Sequence, residues 1–206
     1  MIMRPDPELV KKLGTYGTAT IHEAAGQTGA LPGYIKPISQ NMKLCGRVYP
    51  LHCLARSNIN LHEAIYQAEV GDILVGSVEG IQDAGYWGDI LTCAAQEKGL
   101  NGLVLDACVR DADDIDALDF PVFASGLNIL GTGKERGGSI GETITIGDVE
   151  INVGDVIVGD RDGLVVVAAD RLQEVIDASQ EREDKEEDVR LRLKAGESSL
   201  EIYKFP

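Results

Sequence analysis

Positive charge is scarce in this chain. Lys and Arg number 19 against 34 Asp and Glu, a net charge of −15 over 206 residues. Such a surface repels phosphate backbones and anionic lipid, which argues against nucleic acid or a membrane surface as the main partner. Aromatics are also few, at 5%, yet 44% of residues are hydrophobic and 26% charged. That is ordinary globular composition, so wholesale disorder and collagen-like repeats are excluded. Long apolar runs are missing as well. No window approaches the ~18 consecutive apolar residues of a membrane span, and MIMRPDPELVKKLG lacks the apolar core of a signal peptide. The expected setting is cytoplasmic.

Several catalytic signatures are absent. Cys45, Cys53, Cys93 and Cys108 form no C-x-x-C pair and lie in apolar surroundings, so four reduced, buried thiols are expected and a structural zinc site is not. The three histidines are His22, His52 and His62, and His22-Glu23 is not continued into H-E-x-x-H. There is no G-x-S-x-G. The stretch GLNILGTGK at 126–134 holds G-x-x-x-x-G, but Thr132 and Gly133 displace Lys134 from the Walker position.

The pattern that is present alternates strands and helices. Asp6 can cap PELVKKLG, and Thr18 to Ala25 has helical spacing. Residues 44–54 read as a strand interrupted at Pro50, hence an edge or a bend. A short helix over 60–69 precedes the buried strand GDILVG. Residues 86–98 read as a helix closed by Gly99, 102–106 as a strand, 111–118 as a helix and 121–126 as a strand. Gly-Asp turns within 138–168 predict consecutive antiparallel strands, and 170–196 a long charged helix. The expected class is α/β with a mixed sheet. The echo of V-G-D-x-[IL]-V-G at 70–76 and 153–159 extends no further, so one turn-plus-strand solution used twice explains it.

An acidic chain that handles an anion needs a local island of positive charge. In LDACVRD a buried strand delivers Arg110 and Asp111 to its carboxyl end, where open α/β sheets bind ligands. A guanidinium suits a carboxylate or enolate oxygen, and an aspartate beside it suits Mg²⁺ or Mn²⁺. The plainer alternative is a surface ion pair at a helix start. In GYWGDIL, Gly88 precedes a helix whose first amides can cradle a carboxylate. Asp89 there either holds a cation or water beside that nest or simply favours the helix dipole.

These residues bring a resemblance into view. TATIHEAAGQTGAL at 18–31, GYWGDILTCAAQEKGLNGLVLDACVRDADDI at 85–115, FPVFASG at 120–126 and VGDVIVGDRDGLVVV at 153–167 resemble the class II 4-hydroxy-4-methyl-2-oxoglutarate / 4-carboxy-4-hydroxy-2-oxoadipate aldolases. That family shares a superfamily with the ribonuclease E activity regulator. The resemblance covers nearly the whole chain. It implies one domain over 1–206, a swivelling-type β/β/α sandwich with a long C-terminal helix, whose arm over 170–206 packs on a neighbouring subunit. It also implies homotrimers or homohexamers with active sites between subunits.

By the same resemblance Asp111 is the direct protein ligand of Mg²⁺ or Mn²⁺, and Arg110 binds the pyruvyl part of the substrate. Asp89 holds metal-bound waters, Gly88, Ile90 and Leu91 bind the pyruvate carboxylate through the backbone, and Lys134 contacts substrate. Glu23 and His62 match a polar pair near the pocket. A glutamate from a neighbouring C-terminal helix falls on Glu186, with Glu187 adjacent. The implied reaction is a retro-aldol cleavage of a 4-hydroxy-2-oxo polycarboxylic acid to pyruvate and a second oxo acid, with oxaloacetate decarboxylation as a side reaction. The alternative is a non-enzymatic regulator that binds a ribonuclease; that branch, however, lacks the aspartate found here at Asp111. The run TGKERGGSIGETITIG at 132–147 departs from the family's substrate loop, which leaves the substrate tail open.

Overall fold

A computed structural model of the chain describes residues 4–204. The extreme ends of the expected domain, 1–3 and 205–206, lie outside the described residues. Helix α1 spans Pro7–Leu13, and the Asp6 carboxylate caps it by accepting from Glu8 N at 2.9 Å. Helix α2 spans Thr18–Ala24. Strand β1 is Lys36–Pro37 and β2 is Leu44–Cys53. They are followed by α3 (Ile59–Gln67), β3 (Asp72–Val78), α4 (Asp89–Lys98), β4 (Gly102–Val109), α5 (Ala112–Ala117) and β5 (Val122–Leu127). Short strands β6 (Ser139–Ile140), β7 (Ile144–Ile146), β8 (Val149–Ile151), β9 (Val156–Gly159) and β10 (Leu164–Val167) lead to the long helix α6 (Leu172–Lys194) and to α7 (Ser199–Tyr203).

One mixed sheet runs in the order β1-β5-β4-β3-β2-β9-β10, with β6 also paired to β2. Its centre, β2 to β5, is parallel, and β3 is buried along its full length. The chain at Ala30 bridges Val165 on β10, while Lys36 and Pro37 pair with β5. One segment thus reaches from one edge of the sheet to the other and nearly closes it. The fold class expected from the sequence holds: α/β, a mixed sheet and a long C-terminal helix.

Three expectations are corrected. Pro50 does not mark an edge or an interruption. It sits inside β2, between β3 on one side and β9 and β6 on the other. Its nitrogen falls at the junction where β9, paired to Leu44–Arg47, hands over to β6, paired to Leu51 and His52. No ladder donor is needed there, and the Pro50 carbonyl still accepts from Gly141 N at 2.8 Å. The strands of 138–168 are not one meander, because β7 and β8 form their own two-stranded sheet while β9 and β10 join the main one. Cys93 is exposed on α4, whereas Cys53 is buried and Cys45 and Cys108 are intermediate; all four are free thiols.

The C-terminal arm begins on the body of its own chain. The first half of α6 packs on its own chain: Leu172, Val175 and Ile176 are buried with Leu13 and Ile21 of α1 and α2 and with Val158 of β9. Only the later part leaves apolar groups exposed, with Leu191 at 56%, Leu193 at 43% and Leu200 at 62%. Among the described residues, no helix is long and apolar enough to cross a membrane.

Candidate active site

The site forms where β4 ends. Arg110 follows the strand, and Asp111 adopts φ 59° and ψ 40° at the entrance to α5. A left-handed residue other than glycine carries local strain, though Asp tolerates it better than most. The Asp111 side chain makes no capping bond to α5. Its Oδ2 lies 3.4 Å from Arg110 Nε instead. The carboxylate and the guanidinium are therefore presented together.

The second wall is the segment before α4. The sequence predicted a helix from residue 86, but Tyr86 to Gly88 lie outside it, bonded against the end of β4. Tyr86 N donates to Cys108 O at 3.0 Å, and Arg110 N donates to Trp87 O at 2.9 Å. Burial of Tyr86 and Trp87, at 0% and 1% exposed, anchors this segment, and Trp87 stacks on Phe120 at 6.4 Å. Helix α4 then starts, with Thr92 N donating to Gly88 O as its first turn. The amides of Asp89, Ile90 and Leu91 precede that bond, so they are the open donors of the helix N-terminus. Gly88 is there for space, not for backbone freedom. A Cβ on it would stand 2.3 Å from Asp111 Oδ2. Gly85 is likewise crowded, its Cβ position lying 2.5 Å from Asn128 O and 3.0 Å from Arg110 Cβ.

The third wall combines the start of α3 with the loop before β6. Gly133 N donates to Arg56 O at 2.6 Å, and Asn58 N donates to Gly133 O at 3.3 Å, which ties the two together. Buried Asn58 links the second and third walls. Its Nδ2 donates to Tyr86 O at 2.6 Å, and its Oδ1 accepts from Lys134 Nζ. The result is a cavity of about 270 Å³ lined by Gly88, Asp89, Ile90, Leu91, Arg110, Asp111, Lys134 and His62, with Asn58 and Thr132. This suits a small acid better than a drug-sized ligand, whose pockets hold roughly 300–1,000 Å³.

The electrostatics are those of an anion site with two acids set into it. Partial desolvation and then the nearby Arg110 charge push the Lys134 ammonium below its usual pKa. Desolvation and then Lys134 also push the His62 imidazole down, which favours its neutral form. A cleft of about 640 Å³ adjoins, sharing Arg110 and Asp111 and edged by Leu127 and Ile129, which are 58% and 90% exposed.

Eight residues expected at the site therefore line one cavity. Three others do not. Glu23 on α2 accepts from Gln27 Nε2 at 3.2 Å and lies 3.7 Å from Arg182, so it forms no pair with His62 in this chain. Glu186 lies between Arg182 at 3.0 Å and Arg190 at 3.1 Å on α6, and Glu187 lies 2.9 Å from Arg190. The residue that sequence reasoning missed is Asn58. Its only trace was an Asn just before a predicted helix, a position normally read as a cap, yet here its side chain caps nothing.

Comparison with known proteins identifies the family. The aldolase/RraA model of RraA-like proteins matches residues 18–166. The chain belongs to that family. An uncharacterised protein of Methanocaldococcus jannaschii is 34% identical, over 82% of each chain. A protein of Halalkalibacterium halodurans is 29% identical over 87% of this chain and 86% of its own, and bears the provisional name of a 4-hydroxy-4-methyl-2-oxoglutarate aldolase. Among solved structures, RraAS2 of Streptomyces coelicolor superposes with a TM-score of 0.81 at 27% identity, covering 92% of this chain and 99% of that one. It is described as an unusual member of the RNase ES inhibitor RraA protein family.

Proposed function

We propose that this chain is a divalent-metal-dependent lyase that cleaves a 4-hydroxy-2-oxo polycarboxylic acid into pyruvate and a second oxo acid. The observation that carries the reading is the convergence of Arg110, Asp111, Lys134 and the open amides of α4 on one small cavity. Relatives that bear the aldolase name support it.

The residues fit a hard cation. Among the described residues, no group of three or more His, Cys, Asp and Glu could hold a metal. One carboxylate is nevertheless enough for Mg²⁺ or Mn²⁺ that keeps waters and takes substrate oxygens as further ligands. Gly88 leaves open the space beside Asp111 Oδ2 that a Cβ would fill. When bound, such an ion supplies Lewis acidity at the 2-keto and carboxylate oxygens.

The chain's own groups do the rest. The amides of Asp89, Ile90 and Leu91 receive the pyruvyl carboxylate. Arg110 sets a fixed charge where the enolate oxygen develops as the C3–C4 bond breaks. Lys134, steadied by Asn58, faces the remaining carboxylates. A water held by Asp89, together with Glu186 of a second copy, takes the C4 hydroxyl proton. The enolate at C3 then gains a proton and leaves as pyruvate. Loss of CO₂ from oxaloacetate gives the same enolate, so decarboxylation follows as a side activity. Trimers or hexamers would bring that second copy to the site.

Arg110→Ala and Asp111→Ala should each lower pyruvate release by at least about 10²-fold, the scale of losing one transition-state charge. EDTA should abolish release, and Mg²⁺ should restore it. A coupled pyruvate assay over 4-hydroxy-2-oxo acids and oxaloacetate reads all three. Full turnover in stripped protein ends the metal reading. The likeness to RraAS2 favours one other reading, a regulator that binds a ribonuclease. Co-purification with a ribonuclease, without any metal-dependent lyase activity, would select it.

A further inference from the structure

The Arg110–Asp111 pair faces two spaces. One is the small cavity, which also carries Lys134 and His62. The other is the cleft of about 640 Å³, lined by the pair itself with Ala112, Leu127, Asn128 and Ile129. Among the described residues that line it, Arg110 is the one cation and Asp111 the one acid. The chemistry proposed above uses the first space and leaves the second without a task.

The apolar edge of the cleft is held in place. Leu127 ends β5, and Ile129 follows it in the turn. Three bonds pin the backbone here. Asn128 N donates to Val109 O at 2.9 Å, Leu130 N donates to Asn128 Oδ1 at 2.9 Å, and Gly85 N donates to Leu130 O at 2.7 Å. Asn128 Nδ2 donates to the Asp83 carboxylate, so this side chain is committed to its own loop. Ile129 is nonetheless the most exposed large apolar side chain among the described residues. One exposed apolar side chain is ordinary. Here Leu127 and Ile129 stand together, and Ile90, on the cavity side of the same pair, is exposed too. An apolar patch rimmed by polar groups is the mark of a ligand groove or an interface. Continuity with the cavity through Arg110 and Asp111 points to the ligand.

The substrate class proposed above says what could lie there. Its C4 carries the hydroxyl and two further substituents. One of them, a carboxylate, turns to Lys134. The other leaves past Arg110 and Asp111. A second carboxylate on that side would stand beside Asp111, with no cation except the Arg110 that the enolate engages. An alkyl group would instead leave water against Leu127 and Ile129.

We propose that the cleft receives an apolar C4 substituent, so that the substrates are 4-alkyl-4-hydroxy-2-oxoglutarates and Leu127 and Ile129 select the alkyl arm. The proposal rests on the lyase reading. The cleavage balances without a co-reactant. The C3–C4 electron pair passes to the enolate, the C4 hydroxyl gives up its proton and becomes a ketone, and C3 takes a proton. A substrate with alkyl group R yields pyruvate and R–CO–COO⁻, a 2-oxo acid with an apolar tail.

Pyruvate release from 4-hydroxy-2-oxoglutarates bearing methyl, propyl or carboxymethyl at C4 reads the preference. Each methylene should raise kcat/KM about fourfold, the transfer value of a buried CH₂, so propyl should exceed methyl by about 15-fold. Carboxymethyl should fall below methyl. In the double variant Leu127→Ser/Ile129→Ser the propyl-to-methyl ratio should drop to about 2, and Ile129→Leu should keep the native ratio. Both side chains are exposed, so neither variant opens the core. A flat ratio in the native chain, a preference for carboxymethyl, or a native ratio in the double variant overturns the proposal. A flat ratio together with loss of the oligomer in the double variant overturns it in favour of a second copy as the occupant.

Binding keeps the two readings apart. 4-Methyl- and 4-propyl-2-oxoglutarate lack the C4 hydroxyl and cannot be cleaved. In titration calorimetry with Mg²⁺, the propyl compound should bind the native chain about 15-fold more tightly, and the double variant should lose that advantage. If this difference appears while no substrate releases pyruvate, the lyase reading has failed and the apolar arm of the site stands. If the two compounds bind alike, or neither binds, the cleft does not receive the tail.

Discussion

Gly88 shows how one missing side chain can define a site. Its backbone is extended, at φ −155° and ψ −169°, a conformation open to any residue. What forbids a side chain is the Asp111 carboxylate, 2.3 Å from where a Cβ would be. That carboxylate is the end of a side chain, so Gly88→Ala can be accommodated by swinging it aside. The expected result is a folded protein whose melting temperature moves by no more than about 4 °C, the scale of 1 kcal/mol in a chain of this size. Activity should nevertheless fall about 10²-fold, as it does when a reacting group is displaced by 1 Å. Calorimetry alongside the pyruvate assay separates the two effects. A large loss of stability with activity retained per folded molecule would mean that the space beside Asp111 has no chemical role.

At the scale of elements, the site depends on joints between strands and helices. One of them holds α2 to the sheet. Asp160, just after β9, accepts from Thr18 N at 2.9 Å and from Thr18 Oγ1 at 2.7 Å, and its Oδ1 also accepts from Asp162 N at 2.9 Å. Gly17 at the N-cap of α2 has no side chain to offer, so Asp160 does the capping from a distance. Burial alone would raise the Asp160 pKa, but these bonds outweigh it and hold the carboxyl below its ordinary value. A depressed carboxylate stabilises the fold above its unfolded pKa, and that contribution is lost as pH falls through the folded one. Asp160→Ala should cost about 1–2 kcal/mol at pH 7, the usual value of a lost cap. The gap to the native chain should close toward pH 3, and urea unfolding at the two pH values measures it. An undiminished gap at pH 3 would show that the bonds do not depend on the ionised form.

The same joints explain which parts of the molecule were legible in the sequence. Asp6 and Gly99 are local signals, and they marked the ends of α1 and α4. The Arg110–Asp111 pair was legible because a buried strand and a helix start were both written nearby. Segment 86–88 was misread because its apolar Tyr and Trp look helical, while the bonds that hold it out of the helix come from Cys108 and Arg110, some 20 residues away. Pro50 was misread because a gap between two partner strands cannot be seen from one of them. Asn58 escaped for the same reason: its two partners, Tyr86 and Lys134, lie 28 and 76 residues along the chain.

At the scale of the whole molecule, the net charge of −15 and the island of Arg110, Lys134 and the α4 amides are two sides of one arrangement. The densest acidic run lies on α6, where EREDKEED at 181–188 supplies six acids in eight residues. In this chain Glu186 is held by Arg182 and Arg190 on an otherwise solvated face. Such pairs are worth only a few tenths of a kcal/mol each, so Glu186 can exchange them for a better partner. The exposed Leu191, Leu193 and Leu200 that follow would accompany it into a neighbouring subunit. The prediction is complementation. Arg110→Ala and Glu186→Ala should each be nearly inactive alone. Mixed, dissociated and reassembled in equal amounts, they should regain about a quarter of native sites, because a shared interface pairs an intact Arg110 with an intact Glu186 from another subunit in one random case in four. Sites contained within one chain would recover nothing on mixing, and Glu186 would then be left as a surface ion-pair residue.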